Sequence, residues 1–510
     1  MLVRELSFRQ RKGIKMKKII VIGAGLAGLS AAVRLQKLGY EVHVYEKQET
    51  PGGKMSQIQK GGFTFDVGPT IVMMPEIYRE IFEFCGKDPD AYIPMEKVEP
   101  MLELFFRNED PLLFSSDLIQ LTQTLEAISE EDAQGYFAFL SDIYKRYLIA
   151  REHFITKSFR SFRDFYNPKS LHAGLKLKTF SDAYSSISKF VKDERLRKSL
   201  AFQTLYIGVS PYQGPSLYTI IPMIELLYGV HFIKGGMYTL TKSLTQVFEE
   251  LGGHIYYSTP VEEIIIENKK AKGIKVNGEN IYADAIVCGS DFPEAMHSLI
   301  PDEKKRGKYT NKKIESMEYS CSCFLLYLGL DKKYASSTLH SIYFADDFKK
   351  NVDDLFSEGV LPDDPSFYIY RPTLMDESLA PKDQEGIYVL VPVPELSKHD
   401  DWSEDRKKSY RDKVIALIKE RTVFSDIEDH IVVEECYTPK DFEQNFNSFY
   451  GATFGLKPTL AQSNYYRPHN KFDYADNLYF CGSSTHPGAG VPIVMQSAKL
   501  AVEELVKDDK

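Results

Sequence analysis

The chain has 510 residues, of which 43% are hydrophobic and 26% are charged, and its formal net charge at pH 7 is −9. This length suits two or three domains with a sizeable core. The mildly acidic balance argues against a nucleic-acid partner. The cysteines form no CxxC pair and the histidines show no metal-ligand spacing, so no metal site is predicted. Cys321 and Cys323 are expected to point in opposite directions on a strand.

The first fifteen residues carry five basic side chains without an apolar core, so they do not resemble a signal peptide. We expect residues 1–15 to be a disordered extension of a cytoplasmic protein that is not secreted. The longest uncharged run, residues 199–224, is interrupted by prolines and glutamines, which oppose a membrane-spanning helix. It could line an apolar cavity, dip into one leaflet of a bilayer, or form ordinary core.

A dinucleotide-binding motif begins at residue 19. An apolar run suited to a buried strand leads into GxGxxG spacing, then a helical pattern over 29–38 and a second strand over 40–45. The glycines allow a tight turn, close approach of a pyrophosphate and close helix–strand packing, and the terminal Glu46 is placed to bond ribose hydroxyls. The residues expected to contact the dinucleotide here are Ile22, Gly23, Ala24, Gly25, Leu26, Ala27, Gly28 and Glu46.

Further contacts indicate which dinucleotide this is. Lys47 and the Gly53-Lys54 step follow the ribose carboxylate, an arrangement not expected of a simple nicotinamide dehydrogenase. It resembles the flavoprotein superfamily that includes amine oxidases and carotenoid desaturases, although a surface turn with a solvated lysine is the alternative. Near the other end, a strand over 477–481 leads to Gly482 and a helix with Val491 and Pro492 in its first turn, whose positive end would favour reduced flavin. Val261 completes the predicted FAD contacts.

Two chain ends that serve one cofactor predict an α/β fold with interleaved segments. We expect a Rossmann-like FAD-binding domain from residues 16–78, 228–310 and 470–510. Residues 79–227 have a helical pattern and are expected to form a substrate- and membrane-facing insertion, and residues 311–469 a substrate-binding domain. Within these, we predict strands at 322–329 and 387–393, helices at 131–154 and 408–421, and a hairpin turn at Asn277-Gly278.

Longer motifs identify a family. Residues 63–70 (FTFDVGPT), 235–237 (GGM) and 484–492 (STHPGAGVP) resemble the bacterial phytoene desaturase family. Residues 71–75, 205–208, 220–225 and 458–468 resemble its thirty-carbon branch, and the likeness extends over 17–507. The resemblance implies a fold of the amine oxidase/phytoene desaturase type, FAD as sole cofactor, and a hydrophobic C30 carotenoid precursor taken from a lipid bilayer surface. It also implies successive dehydrogenations that lengthen a conjugated system.

Such a reaction needs acceptors for a hydride and a proton, and it can depend largely on positioning and the exclusion of water. No strong catalytic dyad is visible. His486 could shuttle protons, although a structural role in its turn is favoured. Glu225 could have a raised pKa if it is buried, although a partly exposed helix-face glutamate is equally consistent.

Four other functions stay open at this stage. They are an amine oxidase, a carotenoid oxygenase or ketolase, a C40 phytoene desaturase and a non-redox prenyl-lipid carrier. The long apolar segments argue against small polar substrates, and the intact FAD motifs at both ends argue against a carrier. The sequence carries no signal for the oligomeric state.

Overall fold

The computed structural model describes residues 16–177, 181–335 and 338–509, so the predicted extension at 1–15 lies outside the described residues. The strands are β1 (Lys18–Ile22), β2 (Glu41–Tyr45), β3 (Gln57–Lys60), β4 (Phe63–Asp66), β5 (Met95–Lys97), β6 (Leu102–Phe105), β7 (Leu112–Phe114), β8 (His231–Ile233), β9 (His254–Tyr256), β10 (Glu263–Glu267), β11 (Lys270–Val276), β12 (Glu279–Tyr282), β13 (Ala285–Cys288), β14 (Ser322–Leu330), β15 (His340–Tyr343), β16 (Phe367–Tyr370), β17 (Glu385–Val393), β18 (Ile431–Tyr437) and β19 (Leu478–Phe480).

The α-helices are α1 (Leu26–Lys37), α2 (Pro75–Cys85), α3 (Pro89–Tyr92), α4 (Leu118–Ile128), α5 (Glu130–Ala150), α6 (Phe162–Phe165), α7 (Pro168–Lys176), α8 (Ala183–Ile187), α9 (Glu194–Ala201), α10 (Ile220–Tyr228), α11 (Tyr238–Glu250), α12 (Phe292–Glu294), α13 (Asn311–Glu315), α14 (Phe348–Asp353), α15 (Glu404–Arg421), α16 (Pro439–Phe446) and α17 (Val491–Asp508). Short 3₁₀ and π turns join several of them.

A five-stranded parallel sheet, in the order β19-β13-β1-β2-β9, organises the first part of the fold. Successive side chains of β1 point to opposite faces, and both faces are covered. Ile19 and Val21 pack in one core with residues of α1, α11 and α17, whereas Ile20 and Ile22 pack in another with β10 and β11. The predicted strand–helix–strand unit is present at β1, α1 and β2, and the C-terminal strand and helix are present at β19 and α17.

The second layer is the antiparallel sheet β10-β11-β12. Its last two strands are joined by the predicted turn, in which both Asn277 and Gly278 have positive φ values of 50° and 78°. Positive φ at both central residues is what a type I′ hairpin requires.

A seven-stranded sheet in the order β18-β14-β17-β16-β15-β6-β7 forms the other half of the protein. Its strands β14 and β17 and the helix α15 match the elements predicted at 322–329, 387–393 and 408–421. The segment expected to be helical, 79–227, differs from expectation because it also contains β5, β6 and β7. Strand β6 pairs in parallel with β15, so this segment supplies the edge of the sheet.

Helices α4 to α10 cover one face of the seven-stranded sheet, and together with that face they form one large hydrophobic core. The helix predicted over 131–154 is α5, which ends at Ala150 and continues as a single π turn, Arg151–Ile155. Across the described ranges, we find no helix that combines the length and the hydrophobicity needed to cross a bilayer.

Candidate functional site

A cavity of about 630 Å³ runs from the carboxyl end of the parallel sheet to the inner face of the seven-stranded sheet. This volume is within the usual range for pockets that bind small molecules. Thirteen of the fifteen residues predicted to contact the cofactor line it: Ile22, Gly23, Gly25, Leu26, Ala27, Glu46, Lys47, Gly53, Lys54, Val261, Gly482, Val491 and Pro492. Residues from both chain ends therefore meet at one site, as the sequence predicts.

Gly25, in the β1–α1 turn, and Gly28, in the first turn of α1, have different roles. A Cβ atom built on Gly25 would have a single neighbour within 4 Å, the Gly52 carbonyl oxygen at 3.9 Å, so this position faces open space. A Cβ atom on Gly28 would lie 1.9 Å from the Gly23 carbonyl oxygen. Gly28 is outside the cavity lining and permits the helix to pack against the strand, whereas Gly25 leaves room for a ligand to approach the backbone.

The amino terminus of α1 faces that space. Gly25 is the N-cap, no side chain caps the helix, and its first turn holds no acidic residue. The first amides of α1 therefore lack intrahelical acceptors and carry partial positive charge. A diphosphate group satisfies both the free donors and the charge.

Glu46 is buried at the end of β2. Its Oε2 accepts a hydrogen bond from the Ala24 amide at 2.6 Å, and its Oε1 accepts one from the Gln48 amide at 2.9 Å. Ala24 is outside the cavity lining and acts by fixing this carboxylate. Each carboxylate oxygen has a second lone pair, so Glu46 can still accept from ribose hydroxyls.

Two lysines border the cavity after β2. The Lys47 ammonium donates to the Asn447 side chain at 2.6 Å, and the Lys54 ammonium donates to the Thr453 carbonyl at 2.8 Å. Burial lowers the pKa of both lysines, and for Lys54 the nearby Asp291 acts in the opposite direction. Lys54 thus places a half-buried ammonium group against the cavity.

A second helix end, that of α17, also faces the cavity, and α17 packs beside α1 on the same face of the parallel sheet. Its N-cap is Gly490, no side chain caps it, and its first turn has no acidic residue, while Val491 and Pro492 line the cavity. Two uncapped helix ends and a half-buried ammonium suit a ligand that carries both a diphosphate and an electron-accepting ring. The residues present therefore fit FAD.

The family motif at residues 63–70 holds this site in place. Asp66 accepts hydrogen bonds from the Met237 and Tyr238 amides at 2.7 and 3.0 Å, so it caps α11 at the GGM motif. Burial raises the pKa of Asp66 to about 6. The Tyr327 and Tyr388 hydroxyls donate to the Val67 and Gly68 carbonyls, which attaches the same motif to the seven-stranded sheet.

The rest of the cavity is apolar. Its walls come from β14, β16 and β17 on one side and from residues 202–207 and α10 on the other, with side chains such as Phe202, Leu205, Ile221, Ile224 and Phe344. Of the three environments considered for residues 199–224, the structure shows two, because part of the run lines the apolar cavity and other residues, such as Leu200 and Met223, belong to the hydrophobic core. The expectation for Cys321 and Cys323 was wrong. Side chains two residues apart on a strand point the same way, and both cysteines line the cavity.

Glu225 is buried behind this wall, and it does not line the cavity. Its Oε1 accepts a hydrogen bond from Gln203 at 3.1 Å. Within the described chain, its Oε2, the Gln203 oxygen and the hydroxyls of Tyr136 and Tyr206 have no hydrogen-bond partner. Burial raises the pKa of Glu225 to about 8, so this carboxyl is mostly protonated at neutral pH.

His486 is also buried and lies outside the cavity lining. Its Nε2 lies 2.8 Å from the Lys157 carbonyl oxygen, and its own carbonyl accepts from Asn470 and Ser497. Burial lowers its pKa to about 4, so the ring is neutral at physiological pH. These contacts favour the structural role over proton transfer.

Sequence reasoning missed part of the cofactor end. Ser290, Asp291 and Asn447 line the cavity there. A signal existed for the first two, because they follow the short apolar run 285–288, which is β13, and ligands bind at the carboxyl ends of parallel strands. For Asn447, which is brought in by α16, no comparable signal exists. Among the described residues, no three His, Cys, Asp or Glu side chains come together as metal ligands.

Comparisons with known proteins agree with this geometry. A family model described as flavin-containing amine oxidoreductase matches residues 26–506. The chain is 47% identical over 496 residues, 96% of its length and 99% of the relative's, to the 4,4′-diapophytoene desaturase (4,4′-diaponeurosporene-forming) of Staphylococcus haemolyticus strain JCSC1435. It is 48% identical over 498 residues, 96% of this chain and 99% of the relative, to the enzyme of the same name from Staphylococcus aureus strain MRSA252.

A crystal structure of an oxidoreductase from Methanosarcina mazei has the same fold. Its TM-score is 0.64 at 17% identity, covering 95% of this chain and all of that one. These similarities confirm the predicted fold class, the resemblance to the thirty-carbon desaturases and the assignment to flavin-dependent oxidoreductases.

Proposed function

The chain belongs to the flavin-containing amine oxidoreductase family, and we propose that it is an FAD-dependent desaturase of a C30 carotenoid precursor. Its relatives at 47–48% identity are named for 4,4′-diapophytoene and for the formation of 4,4′-diaponeurosporene. We assign the same substrate and product to this chain. Further dehydrogenation to a diapolycopene is an alternative end point that product analysis distinguishes.

One observation supports this assignment above the others. The cavity that begins at the FAD cradle continues between apolar walls, and the acidic residues that line it, Glu46, Asp291 and Glu294, follow strands β2 and β13 at the cofactor end. A cationic amine would be costly to bury between these walls, because none of these acidic residues lies at the apolar end to pair with it. A hydrocarbon needs only apolar contact, which this part of the cavity supplies.

Bound FAD supplies the hydride acceptor for dehydrogenation. The chain's own residues hold the cofactor through Glu46, the α1 and α17 amino termini, Lys47 and Lys54. The half-buried Lys54 ammonium would favour, by charge attraction, a bound group that gains negative charge on reduction. The aromatic and aliphatic walls exclude water from the reacting carbons and align the polyene, which is the positioning that such chemistry requires.

We further propose the arrangement in which the protein acts. The substrate has no polar group, and transferring it into water costs roughly 0.8 kcal/mol per methylene, so it must pass directly from a bilayer to the cavity. A peripheral association with the cytoplasmic face of the membrane meets this need. In this proposal, residues 16–78, 228–310 and 470–510 form the FAD-binding domain, residues 79–227 face substrate and membrane, and residues 311–469 complete the substrate site.

The test is product analysis with flavin-loaded protein and vesicles that contain either the C30 or the C40 precursor. The proposal predicts products that lose pairs of hydrogens and gain visible absorption, with the C30 precursor preferred. Products that contain oxygen would identify an oxygenase or ketolase, and preference for the C40 precursor would identify a phytoene desaturase. A protein that binds the precursor without converting it would be a carrier. The Gly25→Val variant serves as the flavin-free control.

A further inference from the structure

The segment from residue 144 to 177 differs in charge from the rest of the chain. It contains eight Lys and Arg against two acidic residues, a formal charge of +6 in a chain of net charge −9. The remaining residues therefore carry −15. This segment comprises the end of α5, the π turn, α6 and α7.

Most of these basic side chains are exposed and unpaired. Arg160 is bound by Glu504 and Asp508, and Arg146 is bound by Asp142. Six others are exposed, and no carboxylate of the described chain lies within ion-pair distance of them: Lys145, Arg151, Lys157, Arg163, Lys169 and Lys176. Their charge is available to an external partner.

Large apolar side chains are exposed among these bases. They are Tyr144, Leu148, Phe162, Leu171 and Leu175. Leu171 and Leu175 are 51% and 72% exposed and lie one turn apart on α7, which buries only Ala173. Helix α7 contacts α5, which exposes Tyr144 and Leu148 one turn apart. An apolar surface with basic residues around it is the composition of helices that lie in a membrane interface.

The same segment reaches the substrate cavity. Ala150, Phe154 and Ile155, at the end of α5 and in the π turn, line the cavity, while Leu148 and Arg151 next to them are exposed. This exposed surface and part of the cavity wall therefore lie next to each other in one short stretch of chain.

We propose that residues 144–177 form the docking face through which the protein binds a lipid bilayer rich in anionic headgroups. Basic side chains near such a surface attract it electrostatically, and the leucines insert among the acyl chains. The −15 on the rest of the molecule is repelled by the same surface, so charge alone orients this face toward the membrane. This inference rests on the proposed function, because it names where the lipid-borne substrate enters.

The test measures binding of flavin-loaded protein to substrate-free vesicles of neutral phosphatidylcholine, with and without phosphatidylglycerol. We expect binding about tenfold or more tighter with the anionic lipid, and a decrease as salt is raised. Lys169→Glu with Lys176→Glu should weaken binding to anionic vesicles roughly 100-fold. Leu171→Gln with Leu175→Gln should weaken binding to both kinds of vesicle. These four side chains are exposed, so flavin content should not change.

Two control variants make equal changes elsewhere. Lys304→Glu with Lys312→Glu alters charge at other exposed positions, and Val360→Gln with Val432→Gln removes exposed apolar side chains outside the segment. Both should bind like wild type. Equal binding of the wild type to neutral and anionic vesicles would overturn the proposal of this docking face. An equal loss of vesicle binding in the control and test variants would also overturn it. So would a change in oligomeric state of the test variants by sedimentation with unchanged vesicle binding, because the face would then be a protein interface.

The docking face and the proposed function fail in different ways. If wild-type protein binds anionic vesicles through this face yet leaves the C30 precursor unchanged, the docking face is supported and the desaturase assignment is wrong. If the test variants lose vesicle binding but desaturate detergent-dispersed substrate at the wild-type rate, both are supported.

Discussion

Two substitutions in one turn should separate cofactor binding from folding. At Gly25 the backbone is extended, with φ −69° and ψ 173°, and an added side chain has open space in front of it. Gly25→Val should therefore fold but occupy the space that the diphosphate needs. Losing even one charge-assisted hydrogen bond costs about 1.5–3 kcal/mol, roughly 10- to 150-fold in affinity, and a valine at this position displaces more than one.

Gly28→Ala should do the reverse. Its Cβ atom would lie 1.9 Å from the Gly23 carbonyl, so α1 must move away from β1, and overpacking of this kind costs about 1–3 kcal/mol or more. The assay compares flavin absorbance per protein with thermal unfolding of flavin-free samples. Gly25→Val should be colourless with wild-type apoprotein stability, and Gly28→Ala should unfold earlier as apoprotein. Full flavin occupancy in Gly25→Val would refute the placement of the diphosphate.

Three further substitutions test individual side chains. Glu46→Ala should weaken FAD binding less than Gly25→Val does, about 1.5–3 kcal/mol for one charge-assisted bond, and titration of apoprotein with FAD measures this. Glu225 has its pKa raised from 4.5 to about 8, so its stabilising effect is complete below pH 4.5 and is lost as pH rises to about 8. As pH rises from 4.5 to 7, the free energy of unfolding of Glu225→Gln, measured with denaturant, should therefore increase by about 3 kcal/mol relative to that of wild type. A difference between the two proteins that does not change with pH would contradict this. For His486, whose pKa is lowered to about 4, His486→Gln should leave the shape of the pH–rate profile between pH 5 and 8 unchanged, and loss of an inflection there would restore the proton-shuttle role.

The cofactor end of the site could be predicted because local rules govern it. A strand, a glycine turn and a helix amino terminus form one unit, so thirteen predicted residues line a single cavity although they come from both chain ends. The substrate end was harder to predict, because its walls depend on which face of β14 and β17 meets which helix. Such packing is set by contacts between distant segments. The error at Cys321 and Cys323 had a local cause instead, because side chains two residues apart on a strand point to the same face.

In residues 79–227 too, features set by local sequence could be predicted and features set by distant contacts could not. The period of its apolar residues predicted α5. Strands β6 and β7 were not predicted, because strands of four and three residues carry little periodic signal. They are strands because β6 pairs with β15, which is distant in sequence, and β7 pairs with β6. The uncharged run at 199–224 is clearly apolar in composition, but the sequence did not show whether it lies against a cavity, a membrane or the core. Its position against the cavity is decided by α5 and the seven-stranded sheet, which the run itself does not encode.

The most direct test of the central claim is an anaerobic single turnover. Flavin-loaded protein is mixed with 4,4′-diapophytoene in vesicles, and flavin absorbance and polyene absorbance are recorded together. We predict that oxidised flavin bleaches as the conjugated product appears, with one flavin reduced per double bond formed. Product formation without flavin reduction, or oxidised flavin that persists in the presence of bound substrate, would contradict the account.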